Sequence, residues 1–328
     1  MEFQLKGKSE MHRYSKLVHW MAALSLGTAS MLAVQNAPAQ ESANAAASET
    51  QGDLVIFPGG FGALVSDDSR DPTAGQPGSK AGWHIPGNGY RAGTGWWALV
   101  CFSDDSPGDE HSGCRLYDTS LSVARAKHGV YDSEPVNSQL LHWSPLPFDL
   151  DKVEKEGEKR PTLIAVFKPL RSLAKLKLAA GPVSTYVHQG MGAYPATQRP
   201  GTLEVRLALG NGQFADVVPR VQLNATKDGN RNAPASADIA TFELRIGRTR
   251  QQLPGFSFNE IAGTGLLRPQ GYLMWAGDLD GDGKPDLILR HSDYSSDVSV
   301  YLSTLAKPGE LVGLAGRFQY SDPSSAGC

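Results

Sequence analysis

The chain has 328 residues, 40% hydrophobic and 20% charged, which excludes a wholly disordered, collagen-like or coiled-coil protein. Gly 36 and Pro 21 together exceed the average share of roughly 12% and favour many turns joining short strands. The formal net charge of −3 offers no basic surface for counterion release, so nucleic acid is not an expected partner.

The N-terminus reads as a signal peptide over residues 1–39. Lys6, Lys8, Arg13 and Lys16 form a basic head, Leu17 to Val34 is mostly apolar, and Ala37-Pro38-Ala39 supplies a small-x-small cleavage site. Either Met1 or Met11 fits as the start, since Met11 to Lys16 is by itself a sufficient basic head. A retained anchor competes, because about 18 apolar residues just reach spanning length, but His19, Ser25, Thr28 and Ser30 dilute the run. Removal of residues 1–39 takes the formal net charge from −3 to −5. The expected location is periplasmic or secreted, with no membrane span after cleavage.

Residues 40–52, rich in Ala, Ser, Glu and Gln, read as a flexible leader. The region 53–150 opens with the apolar run Leu54 to Phe57 and then turns glycine-rich through Gly59-Gly60-Phe61-Gly62 and Gly87-Asn88-Gly89. No phosphate-cradling motif follows these glycines, so they read as turns. Trp96 to Phe102 is an aromatic and apolar stretch expected to be a buried strand, and Leu116 to Val123 alternates as its return.

Cys101 and Cys114 flank a polar, turn-rich segment. In an oxidising compartment their bridge would close a loop gaining roughly 3 kcal/mol from reduced unfolded-state entropy. Cys328 is left odd, and three cysteines allow alternative pairings. Asp104, Asp105, Asp109, Glu110 and His111 lie within the segment; a solvated turn is the simpler reading, a second metal site or acid/base pair the alternative.

A charged run between Asp149 and Arg160 reads as a linker into a second region, 161–328. There Thr162 to Phe167 is an apolar strand, and Leu170 to Ala180 is the only credible helix, although it ends on the alternation Leu176-Lys177-Leu178. Arg171, Lys175 and Lys177 read as a solvated edge rather than a basic patch. Leu203 to Leu207 and Phe214 to Val218 form a hairpin around Gly210-Asn211-Gly212, and Ala240 to Ile246 adds a strand with Phe242, Leu244 and Ile246 on one face.

The most specific motif is Asp278-Leu279-Asp280-Gly281-Asp282-Gly283-Lys284-Pro285-Asp286. Carboxylates of Asp278, Asp280, Asp282 and Asp286 occupy positions 1, 3, 5 and 9 of a glycine-bent loop, with the Lys284 carbonyl at position 7 as a fifth donor; calcium is the expected cation. Leu289 stands where an EF-hand needs its bidentate Glu, and Pro285 occupies the middle. Apolar Leu273 to Ala276 and Leu287 to Leu289 flank the loop, so strand-loop-strand is expected.

The stretch Ala276 to Leu289 resembles the FG-GAP or VCBS type of calcium loop, found in integrin-like β-propeller blades and in secreted bacterial proteins. The resemblance implies a structural cation between two strands. It spans about 45 residues, from Gly271 to roughly Phe318, with later strands at Val298 to Leu302 and Leu311 to Phe318. No second copy occurs, and a propeller needs about four to eight blades. The expected fold is therefore mainly β, with antiparallel sandwich-like sheets and a C-terminal calcium-loop hairpin, not a full propeller.

Gly-x-Ser-x-Gly and His-Glu-x-x-His are absent, which removes the commoner serine-hydrolase and zinc-protease signatures. The expected function is an exported calcium-binding β protein acting as a binding or envelope-associated module, with a glycan or cell-envelope component as the candidate partner. The alternative is a secreted carbohydrate-active hydrolase using spare carboxylates and Trp83, Trp96, Trp97, Trp143 or Trp275 as a sugar platform, although aromatic core is the default reading of those rings.

Overall fold

The computed structural model describes residues 49–59, 83–86, 89–102, 113–125, 138–147, 161–170, 173, 175–197, 203–210, 212–224, 236–256, 268–292 and 296–320. The first eight strands are β1 (Glu49–Gly52), β2 (Leu54–Pro58), β3 (Trp83–Pro86), β4 (Gly93–Phe102), β5 (Gly113–Arg125), β6 (Ser138–Ser144), β7 (Thr162–Pro169) and β8 (Gly181–His188). They are followed by β9 (Val205–Gly210), β10 (Gln213–Asn224), β11 (Ser236–Ile246) and β12 (Thr249–Phe256). A single helical turn, α1 (Pro269–Tyr272), leads into β13 (Leu273–Asp278), β14 (Asp286–Arg290), β15 (Ser296–Leu302) and β16 (Gly313–Tyr320).

These strands make two antiparallel sheets. The larger, with 12 strands, runs β1-β16-β15-β14-β13-β8-β5-β4-β7-β2, with β6 and then β3 branching from β5. The smaller has 4 strands in the order β12-β11-β10-β9. The fold is mainly β, as the alternating sequence predicts, and it is not a full propeller.

The large sheet curls until its ends nearly meet. Consecutive strands β1 and β2 lie at opposite ends of the pairing order, and Asp53 between them bridges the gap. Its N–H donates to Ala315 O at 2.9 Å, and its carbonyl accepts Leu170 N–H at 2.8 Å. Gly316 permits this approach, because a Cβ there would stand 2.0 Å from Leu54 O.

Strand β14 shows how the two sheets share the hydrophobic residues. Ile288 joins Phe57, Trp96, Leu99, Trp143, Trp275 and Phe318 in the core of the large sheet. Leu287 and Leu289 point the other way, into a second core with Val205, Val217, Phe242, Leu244 and Tyr272. Burial on both faces explains why this stretch is continuously apolar rather than alternating. Tyr194 Oη donates to Leu273 O at 2.8 Å and Tyr272 Oη to Leu203 O, so the phenols that enter the second core keep partners.

Three segments are shaped by pairing and packing rather than by local pattern. Glu49–Gly52, at the end of the expected flexible leader 40–52, forms β1 and pairs with Gly316–Gln319 of β16, backbone bonding outweighing the lack of large side chains. Strands from both sides of the charged run 149–160 lie in one sheet, β7 pairing with β4 and β8 with β5. The helix expected over Leu170 to Ala180 does not extend through its described part: Leu173 N–H donates to Leu170 O and Leu176 N–H to Leu173 O, both at 2.9 Å, and 176–179 carry no helix. Leu173, Leu176 and Leu178 all pack on the large core, and the period-two spacing of the last two suits an extended chain rather than a helix.

Candidate metal centre

The acid loop connects β13 to β14, strand-loop-strand as its flanks predict. Gly281 and Gly283 take φ of 76° and 80°, left-handed conformations that let the backbone fold back between the carboxylates. Asp278 closes the base of the loop, its Oδ1 accepting Asp282 N–H at 3.0 Å and its Oδ2 Gly283 N–H at 2.9 Å.

Asp286 is fully buried, and both its oxygens accept backbone donors at 2.7 Å: Oδ2 from Leu279 and Oδ1 from Ser303. Burial nevertheless pushes its carboxyl up to about 7, reinforced by the charges of Asp280 and Asp282 against the lowering effect of the two N–H groups. Asp280 is also raised, by burial first. Its Oδ2 accepts Thr304 Oγ1 at 2.8 Å, while its buried Oδ1 has no hydrogen-bond partner.

Asp278, Asp280 and Asp286 each place a carboxylate oxygen so that all three lie within 4.8 Å of one another. Asp282 is not part of that trio. Its Oδ1 accepts Lys284 N–H at 2.9 Å, and its Oδ2 accepts Ser303 Oγ at 2.9 Å with Lys284 Nζ 3.7 Å away. The Lys284 ammonium is well exposed and directed at Asp282 rather than at the trio. Among the described residues no ion pair neutralises Asp278, Asp280 or Asp286. Buried carboxylates are ordinarily paired or bound to a metal, so the donor set, all hard oxygen, and the unpartnered Asp280 Oδ1 fit a hard cation.

Sequence reasoning missed the third wall of this site. Ser303 and Thr304 come from a 3₁₀ turn, Ser303–Leu305, that follows β15. A Ser-Thr pair after an apolar strand carries no signal by itself; only the pairing of β15 with β14 brings it over the loop. Tyr186 on β8 stands nearby, its phenol raised by burial and then by the charges of Asp278, Asp286 and Asp282.

Other expected sites fare differently. Cys101 and Cys114 are joined by a disulfide across the β4–β5 pair. Trp96, Trp143 and Trp275 are buried in the large core and present no sugar-stacking face, while Trp97 is half-buried. Lys175 and Lys177 are exposed. Residues 1–39, the segment from Asp104 to His111, Arg171 and Cys328 lie outside the described residues. Among the described residues no helix is long and apolar enough to cross a membrane. No family model, curated protein or solved structure matches the chain.

Proposed function

We propose that the chain is an exported β protein in which Asp278, Asp280, Asp282, the Lys284 carbonyl and Asp286 hold a structural calcium, and that it serves as a binding module for a glycan or another cell-envelope component. The observation that carries the calcium reading is the convergence of three carboxylates on one point with no cationic side chain among them. The acid loop reaches β13, β14 and the turn after β15, so a cation there fastens three chain segments at once. That is the work of a staple. The basic head and apolar run at the N-terminus support export.

Thermal melts in chelator and in millimolar calcium test the site. With a dissociation constant near 10 μM, 1 mM calcium adds about 2.7 kcal/mol and raises the midpoint by several degrees. Asp280→Asn should abolish the shift and leave the chelated protein as stable as wild type or more so, because it removes a buried carboxylate repelled by its neighbours. An unchanged wild-type melt sinks the calcium reading. Saturable binding to envelope glycans in calcium, without turnover, supports the binding module; hydrolysis of the same glycans would replace it with the hydrolase.

A further inference from the structure

We infer that Cys101, Cys114 and His188 form a zinc site that exists in the reduced protein and is exchanged for the disulfide on oxidation. The two sulfurs and a ring nitrogen of His188 lie within 4.8 Å of one another. All three residues are buried, at 0%, 2% and 1% exposure. They come from β4, β5 and β8, so the ligands are set by the sheet rather than by a loop.

The ring is positioned before any metal arrives. Gly190 N–H donates to His188 Nδ1 at 3.1 Å, which marks the lone pair on that nitrogen. A Cβ at Gly190 would lie 3.1 Å from Nδ1 and 3.1 Å from Thr162 Oγ1, so the Thr162 hydroxyl borders the same edge of the ring. Thr162 in turn is the β7 residue paired with Cys101. A ring nitrogen of His188 would join the two sulfurs as third ligand, leaving the fourth tetrahedral position to water.

Charge selects the metal. Thiolates favour soft or borderline cations. Zn(II) with two thiolates and a neutral imidazole is uncharged, whereas Cu(I) in the same place leaves a net negative charge in a dry interior. The chemistry balances in two steps. A dithiol supplies two electrons and two protons, opening the Cys101–Cys114 bond and leaving as its own disulfide. One Zn(II) then displaces both thiol protons and binds the two sulfurs.

The test uses full-length protein with Cys328→Ser, reduced by a phosphine and held in excess calcium so that the acid loop does not compete. Cobalt(II) should give one equivalent of tetrahedral absorption with a sulfur-to-cobalt charge-transfer band, bleached by zinc, and the oxidised protein should give neither. His188→Gln should keep the thiols but weaken zinc at least about tenfold in chelator competition, and Cys114→Ser should remove the sulfur band. Zinc should raise the melting midpoint of the reduced protein only; if reduction unfolds the chain, zinc should restore the near-ultraviolet dichroism of its buried tryptophans. Absence of the sulfur band together with absence of zinc stabilisation overturns the proposal, as does zinc affinity unchanged by His188→Gln.

Discussion

Asp286 and Ser303 are joined across 17 residues of chain by a 2.7 Å hydrogen bond from a backbone N–H to a buried carboxylate. The same side chain takes a second N–H from Leu279. One residue thus closes the acid loop and anchors the turn that follows β15. Asp286→Ala would strand both donors in the interior, where each unsatisfied group costs about 1–3 kcal/mol. The variant should lose about 2–5 kcal/mol of stability in chelator, measured by urea unfolding, in contrast to Asp280→Asn.

The same carboxylate sets a pH dependence. Its folded value of about 7 lies above the ordinary 3.8, so the folded chain holds the proton more tightly than the unfolded chain. This contribution is full below about pH 4 and is lost as pH rises through about 7. Chelated protein should therefore lose stability across that window, while calcium affinity should climb as the competing proton leaves. Titrations of calcium by isothermal calorimetry at pH 5.5 and 7.5 check both the affinity and the proton release.

Glu243 behaves in the opposite sense. Hydrogen bonds from Arg245 and Arg220 hold its carboxyl down at about 2, and its side chain is nearly covered on the outer face of the small sheet. A lowered folded value means stability present above about pH 4.5 and lost as pH falls toward 2. Glu243→Gln should flatten that acid limb in pH-dependent melts and leave calcium binding unchanged. Because Arg220 and Arg245 remain partly exposed, the loss at pH 7 should be modest, within about 1 kcal/mol.

Gly316→Ala should be among the most damaging single-methyl changes in the protein. The added Cβ would meet Leu54 O at 2.0 Å, and the obstacle is the backbone of β2. Relief requires β16 and β2 to separate, at a cost of about 1–3 kcal/mol. Hydrogen exchange should then report early opening at Asp53 and Leu54, while β9–β12 stay protected.

Local pattern made most strands legible. The hairpin around Gly210 to Gly212, the strand over Ala240 to Ile246 and the acid loop between two apolar runs all follow from period-two alternation and turn residues. Partners distant in sequence were not legible. Nothing in Thr162 to Phe167 says that it pairs with Trp97 to Cys101, and nothing in Ser303-Thr304 says that it caps an aspartate loop. The Leu170 segment misled because leucines three apart suit a helical face as well as a chain of tight turns, and only contact with the core decides between them. Three of the four loop aspartates converge, whereas Asp282 is drawn aside by Ser303 and Lys284, partners that spacing alone does not reveal.

The bridging position of Asp53 also bears on how the chain must fold. Its two backbone bonds reach Ala315 and Leu170, so the seam of the large sheet cannot form until β16 has been made and delivered. Contacts of such sequence separation slow folding, because the loop-closure entropy is spent before they form. Until then β2 keeps an unpaired edge and β1 has no partner strand. A chain with this topology stays open for longer than one built from neighbouring hairpins, and in that interval it is vulnerable to edge-to-edge association with other copies.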